Sequence, residues 1–250
     1  MRRLLEADYN RLVVKIVPWL LLGLVYVVMA VTLSVEIDTS LDRDYFFIQT
    51  VAECYANIST IIGFTVLFGV YGDEFKSMAM IGVIGRGITR EKFVFTKFLD
   101  GCLLSLLMVC ISAVYILILE AVFGVKLSGL HTKFFICMFI FYYITEIAYV
   151  TIASIFYFMS ENAAVGLVAY FIFELVVPVT LELMAMFSDK FRSLHVQRYY
   201  ITGMGASAYS DFILGDPLNA LLTIVPGVAI YIGGSLLITM LIFRHKELEF

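Results

Sequence analysis

Charged residues are scarce in this chain of 250 residues: Asp, Glu, Lys and Arg make up 15% of it, and hydrophobic residues make up 62%. Soluble domains contain about 25% charged and about 45–50% apolar residues. A water-soluble globular fold is therefore excluded. The net charge is −4, and the basic residues are distributed between apolar segments instead of being gathered into a groove. We therefore expect no nucleic-acid partner.

The patterns that mark metal, redox and nucleotide sites are also missing from the sequence. The four cysteines lie inside apolar runs without a C-x-x-C pair, which indicates buried hydrophobic side chains. The three histidines stand apart, so no metal site is predicted. The phosphate-binding loop G-x-x-x-x-G-K-[ST], H-E-x-x-H and G-x-S-x-G do not occur. No catalytic residue is assigned, and we do not expect the chain to be an enzyme.

What the chain has instead is a series of long apolar stretches. The hydrocarbon core of a bilayer is about 30 Å thick and needs about 20 apolar residues in a helix. The sequence therefore predicts an all-α integral membrane protein that forms one transmembrane domain over residues 1–250. Its six predicted transmembrane helices cover 17–35, 46–70, 98–119, 133–159, 163–186 and 217–243.

Lysine and arginine concentrate in the segments 1–16, 71–97 and 244–250. Because loops rich in these residues stay in the cytoplasm, we expect both termini to be cytoplasmic. Residues 1–16 are amphipathic, which predicts a helix lying in the cytoplasmic interface. The alternative is a charged lead-in to the first span.

The segment 71–97 holds five of the 17 lysines and arginines. Residues 73–84 are predicted to form a short cytoplasmic helix, with acidic residues at its start and glycines at its end. Thr89 is predicted to cap the next helix. The alternative is an ordinary positively charged loop with no special role.

Residues in this segment carry a resemblance to a known family. Glu74, the sequence Gly87-Ile88-Thr89-Arg90 and Lys97 follow the second span in this order. The order resembles the permease subunits of type 2 bacterial ABC exporters. Those proteins have an acidic residue after the second span, a short coupling helix, a G-[IVM]-[ST]-R pattern and a lysine below the third span. The chain departs from them at Ser77-Met78, where many members have Gly-Thr.

The resemblance implies a transmembrane subunit in the bacterial plasma membrane that exports hydrophobic or amphipathic cargo, including peptides, as in bacteriocin or toxin export or self-immunity. Two separate ABC ATPase subunits would carry ATP and magnesium, so this chain needs no cofactor. A second permease copy or a paralogous permease would complete the complex. The resemblance also implies that 1–16 is an elbow helix. The residues that the resemblance implies for contact with the ATPase, and hence for coupling, are Asp73, Glu74, Phe75, Met78, Ile81, Arg86 and Arg90.

Polar residues inside the spans are candidates for a substrate pathway. Four of them recur at helical spacing along one face of the second span. Such a stripe either faces a groove or forms hydrogen bonds with neighbouring helices. In the resembling family, the second and fifth spans line the cavity between two permease subunits. The candidate pathway residues are Gln49, Glu53, Asn57, Thr60 and Glu174.

Glu146 and Glu174 lie near the middle of the fourth and fifth spans, and each has either a structural or a pathway role. They also leave open an ATP-independent secondary transporter or channel, in which these carboxyl groups relay protons. An intramembrane protease is a further alternative, although the sequence has no Glu-Glu pair and no histidine at mid-span.

The segment 187–217 is the longest one predicted on the outer side. Residues 199–214 within it are semi-apolar but too short to cross the membrane twice. The resemblance implies short re-entrant helices here, before the sixth span. The alternative is an amphipathic external loop.

Overall fold

The computed structural model describes residues 16–39, 43–72, 84–85, 87–213 and 217–246. The regular structure in these ranges is helical, which confirms the all-α prediction. The helices are α1 (Ile16–Thr39), α2 (Arg43–Tyr71), α3 (Arg90–Phe123), α4 (Gly129–Ser160), α5 (Ala163–Phe171), a π-helical turn (Ile172–Val176), α6 (Val177–Phe187), α7 (Asp189–Leu194), a 3₁₀ turn (Val196–Tyr199), α8 (Ile201–Ile213) and α9 (Pro217–His245).

Five helical segments of the described chain are long and apolar enough to cross a membrane: α2, α3, α4, the fifth span (Ala163–Phe187) and α9 from Leu222 onward. The first predicted span falls on α1, whose apolar part is shorter, Trp19–Val35. The chain is therefore a multi-pass helical membrane protein. The elbow helix predicted for 1–16 and the coupling helix predicted for 73–84 lie almost entirely outside the described residues.

The start of α3 follows the predicted break and cap. Gly87 has φ +85°, a left-handed conformation that glycine adopts without steric cost. The Thr89 side chain then accepts a hydrogen bond from the backbone N–H of Lys92 at 3.4 Å. The third span thus begins at Arg90, and residues 90–97 are its first turns.

Helix α4 lies at the centre of the bundle. It packs against α2, α3, α5, α8 and α9. In its most apolar stretch of 18 residues, 61% of the residues are buried, compared with 17% in the corresponding stretch of the fifth span. The fifth span therefore lies at the edge of the chain, with most of its apolar surface uncovered.

The fifth span is interrupted in the middle by the π-helical turn, within which the backbone N–H of Val177 bonds to the carbonyl oxygen of Ile172. Pro178 follows directly. Proline has no N–H, so the usual bond from residue 178 to the carbonyl oxygen of Glu174 cannot form. The irregular turn lies just before Pro178, around Glu174.

The segment between α6 and α9 folds into short helices. Ile201, Met204 and Ala208 of α8 are buried, and α8 packs against α4 and α9. A Cβ atom at Gly203 would collide with the backbone carbonyl of Gln197, so the turn needs glycine there. Whether these helices re-enter the bilayer stays a prediction.

Two cations join the helix ends at the side of the bundle where α4 and α9 finish. The Arg90 guanidinium donates to the carbonyl oxygens of Phe243 at 3.0 Å and Arg244 at 3.2 Å, and also to that of Lys246. These carbonyl groups lie at or just beyond the end of α9, where the helix dipole is negative and a cation is stabilising.

Lys246 caps the end of α4 in the same way that Arg90 caps the end of α9. Its Nζ donates to the carbonyl oxygens of Phe158 at 3.1 Å and Met159 at 2.8 Å, and it pairs with Glu161 at 3.0 Å. The start of α3, the end of α9 and the end of α4 are therefore tied together. We call this group, Arg90, Phe243, Lys246 and Glu161, the cationic corner.

Arg90→Gln is expected to lower the free energy of unfolding by about 1–2 kcal/mol, because three carbonyl groups lose a charged donor. Thermal unfolding of the purified protein in detergent micelles measures this change.

The control is Arg244→Gln in the same corner. Arg244 is 66% exposed, and its only ion pair among the described residues is to Glu91 at 3.8 Å. A solvent-exposed pair of this kind contributes less than about 1 kcal/mol. Equal losses for the two variants would contradict the capping role of Arg90.

Candidate functional site

The polar stripe of α2 lies on an exposed face of the chain. Gln49, Glu53 and Asn57 are all exposed. Gln49 Nε2 donates to Glu53 Oε1 at 3.0 Å, and Asn57 Nδ2 donates to the Glu53 carbonyl oxygen at 3.1 Å. These hydrogen bonds stay within α2, so Gln49, Glu53 and Asn57 make no side-chain hydrogen bond to another described helix.

Thr60, the fourth residue of the stripe, turns toward the fifth span. Its Oγ1 donates to Glu174 Oε1 at 2.9 Å. The Tyr170 hydroxyl donates to the Thr60 carbonyl oxygen at 3.3 Å. Two of the predicted pathway residues, Thr60 and Glu174, are thus brought into direct contact, and the fifth span is joined to α2 at this depth.

Tyr170 was not identified from the sequence, and neither was the residue that makes room for it. Tyr170 is fully buried, and its ring lies against Gly63 of α2. A Cβ atom at position 63 would collide with the Tyr170 hydroxyl. The only sequence signal is a glycine in the middle of a spanning helix, which marks close packing without naming the partner.

Glu146 lies inside the bundle, with only 2% of its surface exposed. Ser105 Oγ of α3 donates to its Oε1 at 2.8 Å. The other oxygen, Oε2, is buried and has no hydrogen-bond partner among the described residues. A cavity of about 10 Å³ beside it is lined by Ser105, Cys102 and Thr151 among others. This volume is close to the minimum for one water molecule.

Hydroxyl groups, and no cations, therefore hold both mid-span carboxyl groups. In the described part of the chain no lysine, arginine or histidine forms an ion pair with Glu146 or Glu174. Glu174 resembles Glu146 in having one bonded oxygen and one buried oxygen, Oε2, without a partner among these residues. The sequence left open whether these carboxyl groups are structural or belong to a pathway, and it could not identify Ser105 and Thr60 as their partners.

The lysine that closes the 71–97 segment is buried in the structure. Lys97 and Asp100 side chains are 2% and 1% exposed, with Nζ and Oδ2 3.9 Å apart. Lys97 Nζ also lies 5.5 Å from the centre of the Phe93 ring. Because removing one partner leaves a buried charge uncompensated, loss of either side chain is expected to destabilise the protein.

Of the predicted coupling residues, only Arg90 is described, and it lies in the cationic corner. Asp73, Glu74, Phe75, Met78, Ile81 and Arg86 lie outside the described residues.

A second polar contact that was not predicted anchors α1 to α3. The Tyr26 hydroxyl and Ser112 Oγ are 2.6 Å apart, and the Tyr115 hydroxyl donates to the Tyr26 carbonyl oxygen at 2.7 Å. The two tyrosine rings stack with centroids 4.4 Å apart. Helix α1 is therefore part of the bundle, although its apolar stretch is short.

A scan against protein-family models finds no match for this chain, and a search of curated proteins finds no significant match. The resemblance noted above therefore rests on the motif residues alone. Gly87-Ile88-Thr89-Arg90 and Lys97 are described in the structure, and Glu74 is not.

The Thr60–Glu174 hydrogen bond is measurable by a double-mutant cycle. Thr60→Val removes the donor and Glu174→Leu removes the acceptor. We expect a coupling energy of about 0.6 kcal/mol, the mean found for hydrogen bonds between membrane helices, and at most about 1.7 kcal/mol. Unfolding in detergent of the wild type, both single variants and the double variant gives this value.

The control cycle pairs Thr60→Val with Glu182→Leu, on the same span but outside this contact. Its coupling is expected to be near zero. If the two cycles give the same value, the contact does not stabilise the protein.

Proposed function

We propose that this chain is the transmembrane subunit of an ATP-driven exporter of the type 2 ABC class. It would lie in a bacterial plasma membrane with both termini in the cytoplasm. It would move hydrophobic or amphipathic cargo, with peptides such as bacteriocins or toxins as the leading class. A separate ATPase, present in two copies, would supply the energy, and a second permease copy or a paralogue would complete the pathway.

The observation that carries this proposal is the exposed polar stripe of Gln49, Glu53 and Asn57 on a membrane-length helix. An acidic side chain at the centre of the bilayer costs about 2.5–3.5 kcal/mol on insertion scales. Polar residues at this depth therefore avoid lipid and face protein or a water-filled cavity.

The neighbouring fifth span supports the same interpretation. It packs against α2 through α5 and is the least buried of the five membrane-length segments. A polar stripe and a poorly covered helix thus lie next to each other. A second permease subunit placed against them would cover both and enclose a polar pathway.

The cationic corner suggests how movement would pass from the ATPase to the bundle. In this proposal the ATPase pushes on the segment 71–97, which continues into α3. Arg90 links the start of α3 to the end of α9, and Lys246 links the end of α9 to α4. A push on the segment would therefore displace three helices together and open the pathway on one side.

Disulfide crosslinking tests the proposed pairing of subunits. In a background lacking the native cysteines, Asn57→Cys is expected to give crosslinked permease pairs in native membranes when an oxidant is added. Leu117→Cys is the matched control, because Leu117 is 60% exposed on α3 and lies away from the stripe. A crosslinked band at twice the subunit mass indicates a homodimer, and any other mass indicates a different partner.

The energy source is tested by purifying a tagged chain from the same membranes. We expect an ATPase to co-purify with it, and we expect a hydrophobic peptide to stimulate the activity of that ATPase. Equal crosslinking at positions 57 and 117, together with no associated ATPase, would reject the proposal.

A proton-coupled carrier is the second candidate, because Glu146 and Glu174 each have a buried oxygen without a partner among the described residues. Glu146→Gln and Glu174→Gln are neutral replacements of similar size. An ATP-driven exporter should keep most of its transport of a fluorescent amphipathic peptide in inverted vesicles, and a proton-coupled carrier should lose transport driven by a pH gradient.

A further inference from the structure

A cavity with both apolar and charged lining residues lies at the end of the bundle opposite the cationic corner. It has a volume of about 420 Å³, within the range of about 300–1,000 Å³ typical of ligand sites. It lies between α6, the 3₁₀ turn and α8. Its polar lining includes Glu182 from α6, and His195, Gln197 and Arg198 from the turn that follows α7.

Two opposite charges line this cavity without neutralising each other. Glu182 and Arg198 are both exposed, and neither forms an ion pair within 4.0 Å among the described residues. His195, three residues before Arg198, is the left-handed C-cap of α7, with φ 48°.

The depth of the cavity places it near lipid headgroups. The fifth span has 25 residues, about 37 Å at 1.5 Å per residue, which exceeds the hydrocarbon thickness of about 30 Å. Glu182 lies close to the end of this span. Around it, Val179, Leu183 and Met186 are exposed apolar residues against which acyl chains can lie.

The wall formed after α6 is fixed in place. Arg192 donates from Nε to the Ala185 carbonyl oxygen at 3.1 Å and from a second nitrogen to that of Met186 at 3.4 Å. The Tyr200 hydroxyl donates to the Phe173 carbonyl oxygen. The turn that carries Gln197 and Arg198 is thus held against the fifth span at both of its ends.

We propose that this cavity binds the headgroup of a zwitterionic phospholipid with a primary ammonium, such as phosphatidylethanolamine. Arg198 binds the phosphate, while the ammonium donates to the Glu182 carboxylate. A quaternary ammonium has no N–H to donate, so phosphatidylcholine forms no hydrogen bond with Glu182. Glu182 disfavours purely anionic lipids. This site does not depend on the transport function proposed above.

Native mass spectrometry of the full chain in detergent tests the site with two lipids of identical acyl chains. We expect phosphatidylethanolamine to be retained about tenfold more strongly than phosphatidylcholine, equivalent to about 1.4 kcal/mol. Arg198→Gln and Glu182→Gln should each remove this preference. Lys190→Gln, an exposed residue of the nearby α7, is the matched control and should leave it unchanged.

Soluble glycerophosphoethanolamine serves as competitor and separates headgroup recognition from acyl-chain binding. Displacement of the lipid by a large excess of the competitor means that the headgroup chemistry alone is recognised. No displacement means that the acyl chains contribute to a lipid site. Equal retention of the two lipids by the wild type, or an unchanged preference in Arg198→Gln, would overturn the proposal. Glu182 and Arg198 are exposed, so their variants are expected to fold, and thermal unfolding verifies this.

Discussion

A carboxyl group inside a membrane needs hydrogen-bond donors from its own protein, because the hydrocarbon core supplies none. Glu146 meets this constraint at the centre of α4. The hydroxyl of Ser105 reaches it from α3, and the adjacent small cavity has room for about one water molecule. Rotating α4 to turn Glu146 outward would expose the carboxyl group to lipid. Its position therefore fixes which face of α4 meets α3, and the other helices pack around that pair.

The fifth span also carries a carboxyl group that needs a hydrogen-bond donor, but this span is less buried than α4. Glu174 lies in a π-helical turn next to Pro178, and its contact with α2 consists of Thr60 together with Tyr170 packed over Gly63. Most of this span is uncovered, and the polar stripe of α2 beside it is exposed. The centre of the bundle is thus well packed and its edge is incompletely covered, which is compatible with the proposed pairing with a second subunit. A helix with an irregular turn can also change shape at lower cost than a regular helix.

The two ends of the bundle differ in how they use charge. At the cationic corner, Arg90 and Lys246 are occupied with helix carbonyl groups, so these cations stabilise the fold and join three helices. At the opposite end, Glu182 and Arg198 line a cavity and are not paired with each other. Charges that are bonded to helix carbonyl groups stabilise the fold, whereas charges without a partner in the described chain are available to ligands. The proposed mechanical connection thus lies at one end of the bundle and the proposed lipid site at the other.

The sequence by itself determined the membrane class, the approximate position of each apolar helix, the glycine break and Thr89 cap before α3, and the presence of carboxyl groups near the middle of two spans. These features depend on apolar length and on neighbouring residues, which can be read along the chain. Only the tertiary structure decided that Ser105 donates a hydrogen bond to Glu146 and Thr60 donates one to Glu174. It also decided that Gly63 makes room for Tyr170 and that Arg90 caps α9. Each of these contacts joins residues distant in sequence, and helical periodicity shows which residues share a face but not which other helix that face will meet.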